Sequence, residues 1–536
     1  MAEAGAAGRG RGARWAFPFH PFLVGIWSVV LLYGRNTGEL DPLDSLLPLA
    51  WALLLATVTL AAAFAALRDI RRAGLLATML LLLFLSFGRV LDEIDSPLVT
   101  SGRLLVVWTI LGVVAVVAAW RIRRDLRRPT ARLNAVALLL VGISLVPAVA
   151  GELGGARGGT TATATQAAEP DASPGEGEGT AGPDRDIYVI VVEDIGSERT
   201  LRDVWGMTGE SPFAFLDELR FERIADSHSN YGKTGHSLAS MFSLDYLDDL
   251  AARMGPDSGD YGPVYDLIDD AAAARFLKDR GYEYVHIGSW WDPTAESSIA
   301  DVNLGLETPS DFATAWLDTT MLPAITSRLA KLGIHVGVAG LEPHELQYQS
   351  ALVGFDALQS TLGRPGRTFV FAHFLVPHDP YVFATDGSFV TDDAAADRSR
   401  EQLFLDQSRY TMGRVESFVR EALAGPDESD PIVVVTTDEG PNPLAYEQDD
   451  DAFDWQAASD ADLREKFEIE LGLYLPGVQA ATAGGGPHDR MSLVNVFRAL
   501  FDAYFGMSYG QLPDRSYVYR DKAHPYDITE VTDRLP

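Results

Sequence analysis

Hydrophobic positions follow two different patterns along this chain. Up to residue 150 they come in long unbroken stretches, at 15–33, 43–67, 73–87, 104–120 and 133–150. Most of these approach or exceed the ~20 residues that carry a helix across a bilayer core. The third is the shortest, yet still too apolar for a helix in water. Five transmembrane helices are therefore expected over residues 1–150. From Asp186 onward short β-branched runs replace the long ones. The segments 187–192, 284–287, 368–372 and 431–435 are continuous apolar strands of the kind found at the centre of a parallel sheet. Helical patterns at 271–280, 323–332 and 398–424 lie among them. This alternation predicts an α/β domain over 185–536, with a mostly parallel sheet flanked by helices. Residues 151–184, rich in Gly, Ala, Thr, Pro and Glu, are expected to form a disordered linker.

Charge turns this pattern into a topology. Residues 1–150 hold 15 Arg, no Lys and 9 acidic residues, whereas the remainder holds 28 basic and 66 acidic ones. With five spans, Arg9, Arg11, Arg14, Arg68, Arg71, Arg72 and the cluster from Arg121 to Arg132 all fall on one side. Only Arg35, Arg89 and Arg103 fall on the other, among carboxylates. The positive-inside rule puts the N-terminus in the cytoplasm and everything after residue 150 outside. A multi-pass protein of the cell membrane with an extracellular α/β domain is expected. The acidic outer domain excludes nucleic acid as a partner held by its general field. The chain has no cysteine, which excludes disulfides, thiolate metal sites and cysteine nucleophiles.

Sheets of this kind bind ligands beyond the carboxyl ends of their strands, and those ends carry chemistry here. Glu193-Asp194 follows the first strand and Asp438-Glu439-Gly440 the last. Ser289-Trp290-Trp291-Asp292 and His373 through Tyr381 follow the two between. Apart from these stands Gly232-Lys233-Thr234-Gly235, whose glycines permit a sharp turn and close approach of a ligand. The run after it has helical spacing, so Thr234 is expected at a helix N-terminus, where an anion is favoured. An N-cap threonine in a turn is the alternative. Glu193, Asp438 and Glu439 with the Thr234 oxygen would form an oxygen-rich cage for one hard cation, Mn²⁺ or Mg²⁺ rather than Ca²⁺. Such an ion would activate the Thr234 hydroxyl as a nucleophile. Lys233 would help bind substrate oxygens, and His378, between two prolines, would bind or protonate a leaving oxygen.

These residues resemble the alkaline phosphatase/sulfatase superfamily, and within it the membrane-anchored branch that includes lipoteichoic acid synthases. Glu193 matches that branch's metal-binding glutamate and Gly232-Lys233-Thr234 its nucleophile motif. His378-Asp379-Pro380-Tyr381 matches a substrate-binding histidine motif. The Asp-His-Gly metal motif falls on Asp438-Glu439-Gly440, with glutamate in place of histidine. The resemblance implies an alkaline-phosphatase-like domain and a metal-dependent enzyme. It would move a phospho-group such as glycerol phosphate from a phospholipid to a cell-surface glycan or lipid. Trp290 and Trp291 would stack on the substrate. No formylglycine motif is present, which argues against the usual sulfatase route. An ester hydrolase, or a membrane-anchored scaffold whose metal site has degenerated at Glu439, are the alternatives.

Overall fold

The computed structural model describes residues 17–35, 42–94, 99–158, 182–307, 309–330, 343–426, 430–450, 453–478 and 490–535. The chain divides into two compact units. One comprises Met1–Arg157 and Pro309–Glu342, and the other Gly158–Thr308 and Pro343–Pro536.

The first unit is helical. Helices occupy His20–Tyr33, Leu46–Leu67, Ile70–Leu85, Ser101–Arg121 and Arg127–Gly158, so each of the five apolar stretches carries one. Among the described residues, three are long and apolar enough to cross a membrane: Leu43–Leu67 (counting the turn that precedes the helix), Ser101–Arg121 and Arg127–Val146. The other two helices are shorter, at 14 and 16 residues, and the expected first span begins among residues outside the described ones. Along Ser101–Arg121, Val106, Val107, Ile110, Val113 and Val114 are exposed. A continuous apolar face turned outward suits lipid rather than water. The last helix continues to Gly158, past the end of its apolar stretch, and the rest of the expected linker, 159–181, lies outside the described residues.

Pro309–Glu342 is a finding the hydrophobic pattern did not signal. It interrupts the α/β chain, yet its helices Asp311–Asp318 and Leu322–Ala330 pack within the first unit.

The second unit is built on a seven-stranded sheet. Its strands are β1 (Ile187–Val192), β2 (Glu222–Arg223), β3 (Glu283–Ile287), β4 (Val302–Leu304), β5 (Thr368–Phe374), β6 (Ile432–Thr437) and β7 (Leu471–Tyr474). They lie in the order β2-β7-β6-β1-β5-β3-β4. Five are parallel, whereas β7 runs antiparallel to β6 and to β2. The sheet is therefore mixed. Every residue of β1, β5 and β6 is buried, because apolar side chains pack on both faces. Ile187, Val189, Phe371 and Val434 enter one core with Leu238 and Phe242 of the helix Thr234–Ser243. Tyr188, Ile190, Val370 and Val433 enter the other with Val415 and Phe418 of the helix Arg400–Ala422.

Candidate active site

Pleating decides which side chains meet. Side chains alternate between faces along a strand, and the ladders pair Ile187 with both Phe369 and Ile432. Continuing two residues at a time, Glu193 just beyond β1, His373 of β5 and Asp438 just beyond β6 project on one face. That face carries the helix Thr234–Ser243. One ligand atom from each of Glu193, His373 and Asp438 lies within 4.8 Å of the others, and all three residues are buried.

Thr234 opens its helix as the first helical residue. Lys233 is the N-cap and makes no capping hydrogen bond with its side chain. The Thr234 hydroxyl does not cap the helix either. It lies 3.2 Å from Glu193 Oε1 and 3.4 Å from Glu439 Oε1, able to donate to one at a time. The turn before it is fixed from behind by the end of the chain. Tyr517 N–H donates to the Asn230 carbonyl, and Ser516 Oγ to that of Ser229. Gly235 lies where a Cβ would meet the Tyr265 ring at 3.0 Å, which accounts for one of the two glycines.

Asp194 adopts a left-handed backbone, φ 53°, immediately after Glu193, a conformation that Asp tolerates better than most residues. The turn directs the Asp194 N–H to Asp438 Oδ1 at 3.3 Å and its carboxylate to Lys466. Lys466 Nζ stands 3.2 Å from Asp194 Oδ1 and 2.9 Å from Glu439 Oε1. Gly440 makes this possible, because a Cβ there would lie 2.1 Å from the Glu465 carbonyl oxygen. Only glycine lets the segment bearing Lys466 pass so close.

Four buried carboxylates thus share one ammonium and two imidazoles. Burial opposes charge on each of them. At Glu193 the neighbours His373, His378 and Lys466 outweigh it, and the pKa lies below the usual carboxylate range. At Asp438 burial prevails, reinforced by the Glu193 charge, and the pKa rises to about 7. Burial also raises Asp194 and Glu439, with Lys466 pulling against it. Lys466 itself stays an ammonium despite its burial, held so by Asp194 and Glu439. His378 is opposed by burial too, yet Asp194, Glu193 and Asp379 lift it to about 9.

A divalent cation fits this donor set. Glu193 Oε2, Asp438 Oδ2, Glu439 Oε2 and His373 Nε2 are buried without a hydrogen-bond partner. Buried polar atoms of native proteins are rarely left so. His373 Nε2 is 3.1 Å from Glu193 Oε2.

Of the residues singled out in the sequence, Glu193, Thr234, Asp438, Glu439 and His378 come together around this cluster. His378 Nε2 reaches Asp194 Oδ2 at 3.8 Å, and its loop is held by Gln347 and Gln407, whose amides donate to the His378 carbonyl. Trp291 also arrives, T-shaped to His373 with ring centroids 6.3 Å apart. Trp290 is placed differently: its indole N–H donates to Gln347, so it braces the His378 loop. The Lys233 ammonium is engaged with the Tyr261 hydroxyl. His373, Asp194 and Lys466 had no assigned role in the sequence. The first two stood at strand ends already suspected. Lys466 sits in the charged run Arg464-Glu465-Lys466, which reads as a solvated helix face and gives no signal of its burial.

No family model matches the chain. No curated protein matches it either. Solved structures that resemble it include the C-terminal periplasmic domain of EcEptC from Escherichia coli, at 13% identity and a TM-score of 0.40, over 67% of this chain and 96% of that one. The lipoteichoic acid synthase LtaP from Listeria monocytogenes resembles it at 14% identity and a TM-score of 0.37, over 64% and 80%. BT1596, a 2-O GAG sulfatase, does so at 12% identity and a TM-score of 0.37, over 62% and 72%. At these identities and TM-scores the likenesses carry no argument, and each residue's role is read from the site itself.

Proposed function

We propose that this chain is a membrane-anchored, metal-dependent phosphotransferase with Thr234 as its nucleophile. Its α/β unit would lie on the outer face of the membrane, and its donor would be a phosphodiester of a lipid or glycan. The observation that carries this reading is the Thr234 hydroxyl, placed at a helix N-terminus and 3.2 Å from a buried carboxylate that belongs to a cluster of partnerless ligand atoms.

Glu193, His373 and Asp438 would hold the cation, and when bound it would stabilise the alkoxide and offset the charge of the substrate. Glu193 divides its oxygens between two tasks. Oε1 accepts from Thr234, and Oε2, 3.1 Å from His373 Nε2, would meet the ion. Two carboxylates and one imidazole suit Mn²⁺, with Mg²⁺ second. Glu439 pairs with Lys466 in this reading instead of completing the ligand set.

Thr234 Oγ attacks phosphorus as its proton passes along the bond to Glu193. The ester oxygen leaves, and the protonated His378 supplies the proton it needs. A phospho-threonine remains. A hydroxyl of a glycan or lipid, or water, then attacks the same phosphorus and gives its proton to His378, while the Thr234 oxygen leaves and takes its proton back from Glu193. The helix N-terminus favours the anionic group throughout, and Trp291 offers a ring face or edge beside it.

Incubating the full chain with membrane lipids and measuring intact mass tests the step. A phospho-adduct that disappears in Thr234→Ala supports it, and a wild-type chain that never acquires mass at Thr234 overturns it. A second reading, a scaffold that needs no metal, is favoured by Lys466, whose ammonium already neutralises part of the cluster. A purified chain with no bound divalent ion and no adduct would select it.

A further inference from the structure

The insertion Pro309–Glu342 leaves the α/β chain after β4 and returns before the helix Pro343–Gln359, yet it belongs to the helical unit. Its attachment there is built rather than incidental. Phe312 is fully buried and Trp316 nearly so, in one cluster with Val24, Val29, Ala52 and Leu85 of the apolar helices. The Trp316 indole donates to Ser28 Oγ at 3.1 Å, an N–H partner inside an apolar setting. Two backbone bonds join the insertion to the end of Ile70–Leu85 and the start of the short helix Phe87–Glu93 after it: Met321 N–H donates to the Phe84 carbonyl, and Gly88 N–H to the Thr319 carbonyl. A Cβ on Gly88 would fall 1.9 Å from the Asp318 carbonyl oxygen. The glycine is thus required for the backbones to approach.

These contacts also share an end. Ser28 lies in the second half of His20–Tyr33, and Phe84 near the end of Ile70–Leu85. Leu104, in the first turn of Ser101–Arg121, clusters with Phe87 and with Ala324 of the insertion. In the five-span topology all of these are outer ends.

We infer that Pro309–Glu342 is a second anchor, which holds the α/β unit to the membrane domain independently of the chain segment 159–181. The unit is then joined to that domain by three chain crossings, near 158, 308 and 343, instead of one. This rests on the reading of the first unit as a membrane domain and not on any chemistry at Thr234.

The test places a protease cleavage site within residues 160–175 of the full-length chain, in membrane vesicles with the outer face exposed. After complete cutting, the fragment that runs to Pro536 is expected to stay in the membrane pellet. Its appearance in the supernatant would overturn the inference. The double variant Phe312→Ser with Trp316→Ser loses two buried aromatic side chains, which weakens the docking by at least roughly 10²-fold. Its fragment is expected in the supernatant after cutting, while the uncut variant sediments. Retention of the cut double variant would mean that something other than this segment holds the unit, and would equally overturn it. If the uncut wild-type chain proved soluble without detergent, the membrane reading itself would fail, a distinct result.

Discussion

Lys466 Nζ lies 2.9 Å from Glu439 Oε1, and both side chains are buried beside the Thr234 hydroxyl. The pair explains how a carboxylate can stand where the resembling motif has a neutral histidine. The ammonium offsets the charge that Glu439 adds there, while also pairing with Asp194. Breaking a buried pair strands the remaining charge, at a cost of about 3–5 kcal/mol. Lys466→Met should therefore lower the melting temperature of the full chain sharply, and adding Glu439→Gln should recover much of the loss. A double variant no better than Lys466→Met would show that the two residues do not compensate each other.

Removal of the nucleophile should separate chemistry from folding. Thr234→Ala is expected to cut turnover by at least ~10³-fold with an unchanged melting temperature. Thr234→Ser keeps the hydroxyl and should retain part of the activity. Near-normal turnover in the alanine variant would direct attention to Ser237, buried one turn further along the same helix.

Metal content distinguishes Glu439 from His373. Replacing a ligand should weaken the metal by more than the ~10–100-fold typical of residues that only support ligands. His373→Ala should thus lose the bound ion on dialysis, whereas Glu439→Gln should keep it. Elemental analysis of the purified variants reads both. The reverse pattern would restore Glu439 as a ligand and remove His373.

His286 makes the α/β unit sensitive to acid. Burial lowers its pKa to about 4, and its nitrogens are engaged with the Tyr284 hydroxyl and the Thr294 carbonyl. An unfolded imidazole takes a proton near pH 6.5, the folded one only near pH 4. Between those values the unfolded state binds more protons, so stability is fully present above about pH 6.5 and falls as the pH drops toward 4. This one group accounts for about 2 kcal/mol between pH 7 and pH 5. The fall in melting temperature over that range should flatten in His286→Gln. An equally steep fall would assign the acid sensitivity elsewhere.

The strands were legible because apolar runs buried on both faces leave a plain record in the sequence, as at 187–192. Glu193, Asp438 and Thr234 were legible because they follow from two local rules, chemistry at strand ends and glycines around a helix start. The antiparallel β7 was not read, since Leu471–Tyr474 is short and its direction depends on what it pairs with. Lys466 was missed because its burial comes from the passage of Gly440 beside it, a contact between distant segments. The insertion was missed for a similar reason: Asp311–Asp318 has the amphipathic spacing of any helix covering a sheet, and only the packing of Trp316 shows where it docks.

The strand register has a further consequence for how this protein would acquire its ion. Glu193, His373 and Asp438 take their spacing from neighbouring strands of a hydrogen-bonded sheet whose faces are filled with apolar side chains. The donors are gathered by the same event that forms the core, before any ion arrives. Metal uptake is then a filling step and not a folding step. The empty protein should keep its shape and exchange an ion without unfolding, so that the supply of metal, more than any rearrangement of the chain, would govern when it works.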